Sequence, residues 1–195
     1  MTRHLRPLLI LLAAFSILTG LLYPLAVTGF SQLAFPHQAN GSLIIRDGTT
    51  VGSELIGQPF SDPRSFWGRP SSTAPVPYSA AAGAGSNLGP LNPALRRAIA
   101  GQVRRLHAAA PTNTGPVPAD LVTASASGLD PHISLAAAAY QVPRVAQASG
   151  LPVPAVQELV ALATGPRQLG FLGEPRVNVL KLNLALSACC RRAGK

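Results

Sequence analysis

The chain is poor in the residues from which most sites and cores are built. Aromatic residues make up 5% of it, with a single Trp, and charged residues only 12%. So few aromatics predict a modest, alanine-rich core. The two cysteines, Cys189 and Cys190, are adjacent near the end of the chain, which excludes a disulfide framework. The four histidines, His4, His37, His107 and His132, lie far apart with no ligand spacing, so no metal site is expected. Acidic residues number 7 against 16 basic ones, for a formal charge of +9, and lysine occurs only at 181 and 195. A Walker phosphate loop needs Gly-Lys-Ser/Thr, and the Gly-rich stretch Gly83–Pro90 contains no lysine. No Gly-x-Ser-x-Gly elbow occurs, which excludes an α/β-hydrolase nucleophile.

What the chain does have is one uncharged apolar run, Leu8–Phe30. As a helix, 23 residues reach ~34 Å, enough for a hydrocarbon core of ~30 Å. Arg3 and Arg6 precede the run, and the next basic side chain of Lys or Arg type is Arg46. Basic flanks favour the cytoplasmic face, so the N-terminus is expected inside and the rest outside. A cleaved leader is the competing reading; the run is long for one, and the small-residue site near Ala26 and Thr28 is weak. Ser16, Thr19, Gly20, Thr28 and Gly29 suit close packing against other membrane helices. The expected organisation is a cytoplasmic N-terminus (1–7), a transmembrane helix (8–30) and one small extracytoplasmic α+β domain (31–195). That placement makes nucleic acid an improbable partner for the basic surface; solvent, anionic lipid or an acidic partner fits it better.

Beyond the run, Phe35-Pro36-His37 should break the helix, and Asp47-Gly48 between Ser42–Arg46 and Thr49–Val51 reads as a hairpin turn. Asn92-Pro93 opens a helix with the apolar stripe Leu95, Ile99, Val103 and Leu106 beside Arg96, Arg97, Arg104 and Arg105. Asp120–Thr123 is a strand candidate. Asp130-Pro131 reads as a helix start that Pro143 interrupts before a stop at Gly150. Pro154–Ala163 should bury Val156, Leu159, Val160 and Ala163. Val177–Leu186 fits either a strand or a helix capped by Asn178.

Two clusters carry possible chemistry. Ser127-Gly128-Leu129-Asp130-Pro131-His132 holds an acid and a base, though Asp130 as a helix cap accounts for the same residues, and free N–H groups there could meet an anion. Gln141 before Pro143-Arg144 could hydrogen-bond a ligand, with Arg144 pairing a phosphate or carboxylate; a surface Gln and a solvated Arg are the simpler reading of these residues taken alone.

Taken in order, SFWGRPS (Ser65–Ser71), AAGAGSNLGPLNP (Ala81–Pro93), DLVTASASGLDPHIS (Asp120–Ser134), AAYQVPRVAQASGL (Ala138–Leu151) and GFLGEPRVNVLKLNLAL (Gly170–Leu186) resemble the C subunit family of the bacterial Kdp potassium-transporting ATPase. The likeness runs from Gly20-Leu21-Leu22-Tyr23-Pro24 to Leu186. It implies a non-catalytic accessory subunit of the inner (cytoplasmic) membrane. The implied partners are a channel-like potassium-translocating subunit, a P-type ATPase subunit and a small single-helix subunit, with potassium as the transported ion. It further implies a chaperone that stabilises the assembly and raises the ATP affinity of the ATPase subunit. On that view nucleotide meets Gln141 of the Gln-x-Pro-Arg motif, with Arg144, and Ser127 and Gly128 stand in a stretch likened to an ABC-transporter signature. The second glycine of that signature is missing, since Leu129 follows Gly128. The flanking arginines place Gln141 outside, where ATP is scarce, and favour a structural cap over the ion entrance as the alternative. On these readings Gln141→Ala should leave folding intact.

Overall fold

A computed structural model describes residues 2–193 as two compact units that divide between Val51 and Gly52.

The first unit is dominated by one long exposed rod: α1 (Thr2–Ile17), a π turn at Leu18–Leu22, and α2 (Tyr23–Ala34). Pro24 has no N–H to offer the carbonyl of Gly20, and the chain widens there: the N–H of Tyr23 reaches back five residues to the carbonyl of Leu18. Thr19 closes its hydroxyl on the Phe15 carbonyl at 2.7 Å, which satisfies that group within the apolar helix. Residues His4–Ala34 have a mean hydropathy of 2.3 in their most apolar stretch, long and apolar enough to cross a membrane. The helix ends at Phe35, as the following Pro36 suggested, and one turn, α3 (Pro36–Ala39), follows. Strands β1 (Leu43–Arg46) and β2 (Thr49–Ser53) form the expected hairpin. Asp47 and Gly48 both take positive φ, +51° and +76°, which the tight turn requires.

The second unit is a small α+β fold. Its sheet is three short antiparallel strands in the order β3 (His132–Ser134), β5 (Arg176–Asn178), β4 (Thr164–Gly165), numbered along the chain. Ile133 pairs with Val177, and Val177 with Thr164. Helix α4 (Pro93–Ala109) precedes the sheet; α5 (Leu135–Ser149), α6 (Val153–Leu162) and α7 (Val179–Ala193) pack in succession, α5 on α6 and α6 on α7. The core joins Phe66, Leu121, Ile133, Val145, Val156, Val177 and Leu182 with the small Ala137, Ala138 and Ala146, as the scarcity of aromatics predicted.

Several local signals held. Asn92 caps α4 through a 2.8 Å bond from the Ala94 N–H, and Gly150 ends α5 in the left-handed region at φ +67°. The ambiguous run near the end is both things: a strand to Asn178, then a helix whose start Asn178 caps at the Lys181 N–H, 3.0 Å. Three expectations need correction. Asp120–Thr123 is a tight 3₁₀ turn at Ala119–Leu121, not a strand, because the Asp120 carboxylate is drawn to the Ser134 N–H (2.7 Å) and hydroxyl (3.2 Å). Asp130 does not start α5; it bonds the His132 N–H at 3.0 Å and strand β3 intervenes, leaving Ser134 as the cap on the Ala137 N–H. Pro143 does not break α5. The carbonyl whose helical donor it removes belongs to Ala139, and both residues lie on the exposed face, open to solvent.

Candidate functional site

The Gln-x-Pro-Arg motif falls on the middle of α5, where Pro143 faces out and Gln141 and Arg144 face in. Gln141 is 1% exposed. Its Oε1 accepts from the Trp67 N–H and from the Arg144 guanidinium, both at 2.8 Å. Its Nε2 donates to the Trp67 carbonyl at 3.1 Å and the Ala137 carbonyl at 3.2 Å. The amide thus grips the backbone of Trp67 by its only N–H and its carbonyl, as a neighbouring strand would. All four of its bonding positions are taken inside the protein.

Arg144 completes the grip. It donates to the carbonyls of Pro63 and Ser65, and its guanidinium lies 4.3 Å from the Trp67 ring centroid. No carboxylate pairs with it among the described residues. Burial lowers its pKa to about 10, Arg105 pushes the same way and Asp62 partly offsets them, so it stays protonated at neutral pH. The Arg105 guanidinium is also 4.3 Å from the ring centroid, so the indole meets two cations. A second amide repeats the device one residue earlier. Asn183 on α7 accepts from the Phe66 N–H at 2.8 Å and donates to the Phe66 carbonyl at 3.0 Å. The Phe66-Trp67 segment, which has no ladder partner of its own, is held into the core by side chains of two helices.

Ser127 and Gly128 stand elsewhere. The Ser127 hydroxyl accepts from the Leu129 N–H at 3.1 Å, and the Gly128 carbonyl accepts from the Ser71 hydroxyl at 2.7 Å. Gly128 sits at φ +69°, and a Cβ there would lie 2.7 Å from the Ala84 carbonyl oxygen and from Thr73 Cγ2. The Gly-rich stretch meets it from the other side, with Gly85 pressed on the Ala126 backbone. These residues weld three loops together; no hydrogen bond or ion pair joins Ser127 or Gly128 to Gln141 or Arg144. Next to them Asp130 pairs with Arg69 at 3.2 Å. Burial raises the Asp130 pKa, but the hydrogen bonds from His132 and the nearby Arg69 charge outweigh it and hold the carboxyl below its ordinary value.

Between the two groups of residues lies an open cleft of about 320 Å³, walled by Phe60, Trp67, Arg69, Tyr78, Arg105 and Leu106. It has cations and aromatic faces but no nucleophile beside a base. Among the described residues no three His, Cys, Asp or Glu side chains gather to hold a metal.

Sequence reasoning missed Asn183 and any role for Trp67 beyond its being the single Trp. The available signal was Asn183 itself, a polar residue within the apolar stripe of Leu182 and Leu186.

The whole chain also has clear relatives. It matches the family model described as KdpC, K+-transporting ATPase c chain, over residues 5–188. It is similar to the potassium-transporting ATPase KdpC subunits of Methylococcus capsulatus (62% identical over 96% of this chain and 99% of the relative) and Polaromonas naphthalenivorans (63%, 96% and 96%). The KdpC subunit of Sorangium cellulosum is 61% identical over 95% of this chain and 98% of its own length. A match that spans both units at such identity leaves one conclusion: the chain belongs to the KdpC family, the c chain of the K+-transporting ATPase.

Proposed function

We propose that this chain is a non-catalytic assembly subunit of the potassium pump, a structural cap on the extracytoplasmic side of the inner membrane. Residues 1–7 lie in the cytoplasm, 8–30 cross the bilayer beside the channel-like, ATPase and small single-helix subunits, and 31–195 stand outside. The observation that carries this reading is the closed amide of Gln141. A residue with every hydrogen bond spent on Trp67, Ala137 and Arg144 has nothing left for a nucleotide. Contact with ATP would require the grip on Trp67 to open. The charge asymmetry around the helix points the same way, since a domain outside meets little ATP. On this reading Arg144, Ser127 and Gly128 serve the fold, and any effect on the ATPase subunit's nucleotide affinity passes through the assembly.

The test is side-specific labelling. Cys189 and Cys190 are replaced by Ser and the exposed Ala161 of α6 is changed to Cys in the complete pump. A membrane-impermeant maleimide should label Ala161→Cys in intact spheroplasts. Protection until the cells are lysed would refute the cap and return the domain to the cytoplasm.

A further inference from the structure

A proline just past the middle of the apolar run leaves the backbone ladder there one donor short. The Pro24 nitrogen is the donor that Gly20 would use in an α turn and Thr19 in a π turn, and it carries no hydrogen. The α donor for Thr19, the Tyr23 N–H, is spent on the Leu18 carbonyl. Neither register therefore gives the Thr19 carbonyl a partner, and Gly20 loses its α partner. Side chains do not make up the loss. The Thr19 hydroxyl gives its single hydrogen to the Phe15 carbonyl at 2.7 Å, and among the described residues no other side-chain donor reaches Thr19 or Gly20. Nothing in this chain shields the gap either. Gly20 has no side chain, and no side chain or other segment lies within 4 Å of where its Cβ would be.

Depth decides what covers this gap. The run Leu8–Phe30 is centred on Thr19. In a hydrocarbon core of ~30 Å, water then lies about 15 Å away on either side, and lipid tails carry no donor. Irregular backbone at that depth persists where protein covers it. The cover has to bring a hydrogen-bond donor, and a neutral one, because a charged side chain is costly at the bilayer centre. A second copy of this chain running the same way would bring the same two carbonyls to the same depth, acceptor against acceptor. The missing Cβ of Gly20 lets a neighbouring helix come close enough for a short polar side chain to bridge the gap. We propose that the carbonyls of Thr19 and Gly20 form a hydrogen-bond acceptor site at the bilayer midplane, filled by a hydroxyl or carboxamide side chain on a transmembrane helix of a different chain. This rests on the reading of the apolar run as the membrane span of an assembly subunit. The π turn is then a docking feature, which Pro24 maintains by withholding its N–H.

The experiment uses the complete pump in its membrane. Photoreactive p-benzoyl-phenylalanine replaces Tyr23, one turn beyond Thr19. Irradiation should crosslink this chain to a transmembrane helix of another pump chain, with a Ser, Thr, Asn or Gln within one turn of the attachment point in the mapped peptide. Changing that donor to Ala should speed the loss of this chain from the detergent-solubilised pump by about 3- to 20-fold, the worth of one interhelical hydrogen bond. Pro24→Ala returns the missing N–H to the ladder, so in that background the same change should have little further effect. Additive effects would overturn the acceptor site and leave Pro24 a packing residue. Where Pro24→Ala does not assemble, a donor-preserving exchange, Thr for Ser or Gln for Asn, decides: it should hold this chain in the pump better than Ala does, and equal loss would overturn the site. Co-purification together with crosslinks only to lipid, only to a second copy of this chain, or to a helix without a neutral donor would also overturn it and leave the assembly reading standing. A chain that fails to co-purify at all would overturn both.

Discussion

Truncating Gln141 is the sharpest test of what the Gln-x-Pro-Arg motif is for. In Gln141→Ala the buried Trp67 loses the acceptor of its N–H (2.8 Å) and the donor to its carbonyl (3.1 Å), and the Arg144 guanidinium loses one acceptor. An unsatisfied buried backbone group costs about 1–3 kcal/mol and a charged donor at least as much, so the loss should total about 3–9 kcal/mol. Domains of this kind are stable by about 5–15 kcal/mol, so the variant should be close to unfolding. This replaces the sequence-based expectation that the fold would survive the change intact. Gln141→Met, which keeps the volume but none of the bonds, should lie close to the alanine variant, since orphaned polar groups outweigh the cavity. The assay is urea unfolding of the full chain in detergent, followed by the fluorescence of Trp67, the single tryptophan, whose ring centroid lies 4.3 Å from each of two guanidiniums. An unchanged midpoint in Gln141→Ala, with weakened ATP affinity of the assembled pump, would refute the reasoning and make the amide a ligand contact.

Three further outcomes follow from the same geometry. Gly128→Ala should destabilise the domain by about 2–4 kcal/mol, because its φ of +69° and the two 2.7 Å approaches leave no room for a Cβ; a thermal melt of the variant checks it. Ser134→Ala removes the cap on the Ala137 N–H and should lower stability by about 1 kcal/mol, read from the urea midpoint. Asp130 is held below its ordinary value of 3.8 in the fold, so the unfolded chain takes up the proton first as pH falls. Its stabilising contribution is therefore complete above that ordinary value and is lost as pH drops through the folded one. Asp130→Asn should flatten this acid limb of a thermal midpoint–pH curve, and a limb of unaltered steepness would assign it to other carboxylates.

How much of this was legible in the sequence depends on how far apart the cooperating residues are. The apolar run and its arginine flank, the Asp47-Gly48 turn, the Asn92 cap and the Gly150 stop are local. A period, a cap or a positive φ is dictated within a few neighbouring residues, so the sequence determined the long apolar helix and most of the helices behind it. The ordered motifs also determined the family. The misreadings came where a distant partner outbid a local rule. Asp130 before proline looked like a helix cap, but His132–Ser134 is claimed by β5, 44 residues further on, so the helix start moves to Ser134. Only the tertiary structure decided the state of Gln141. Its partners at Trp67 lie 74 residues away, and those of Asn183 at Phe66 lie 117 away. A glutamine that binds a ligand and one that stands in for a strand are the same residue in the same motif. What separates them is which donors and acceptors the fold brings within hydrogen-bonding distance, and here it brings enough to fill the amide completely.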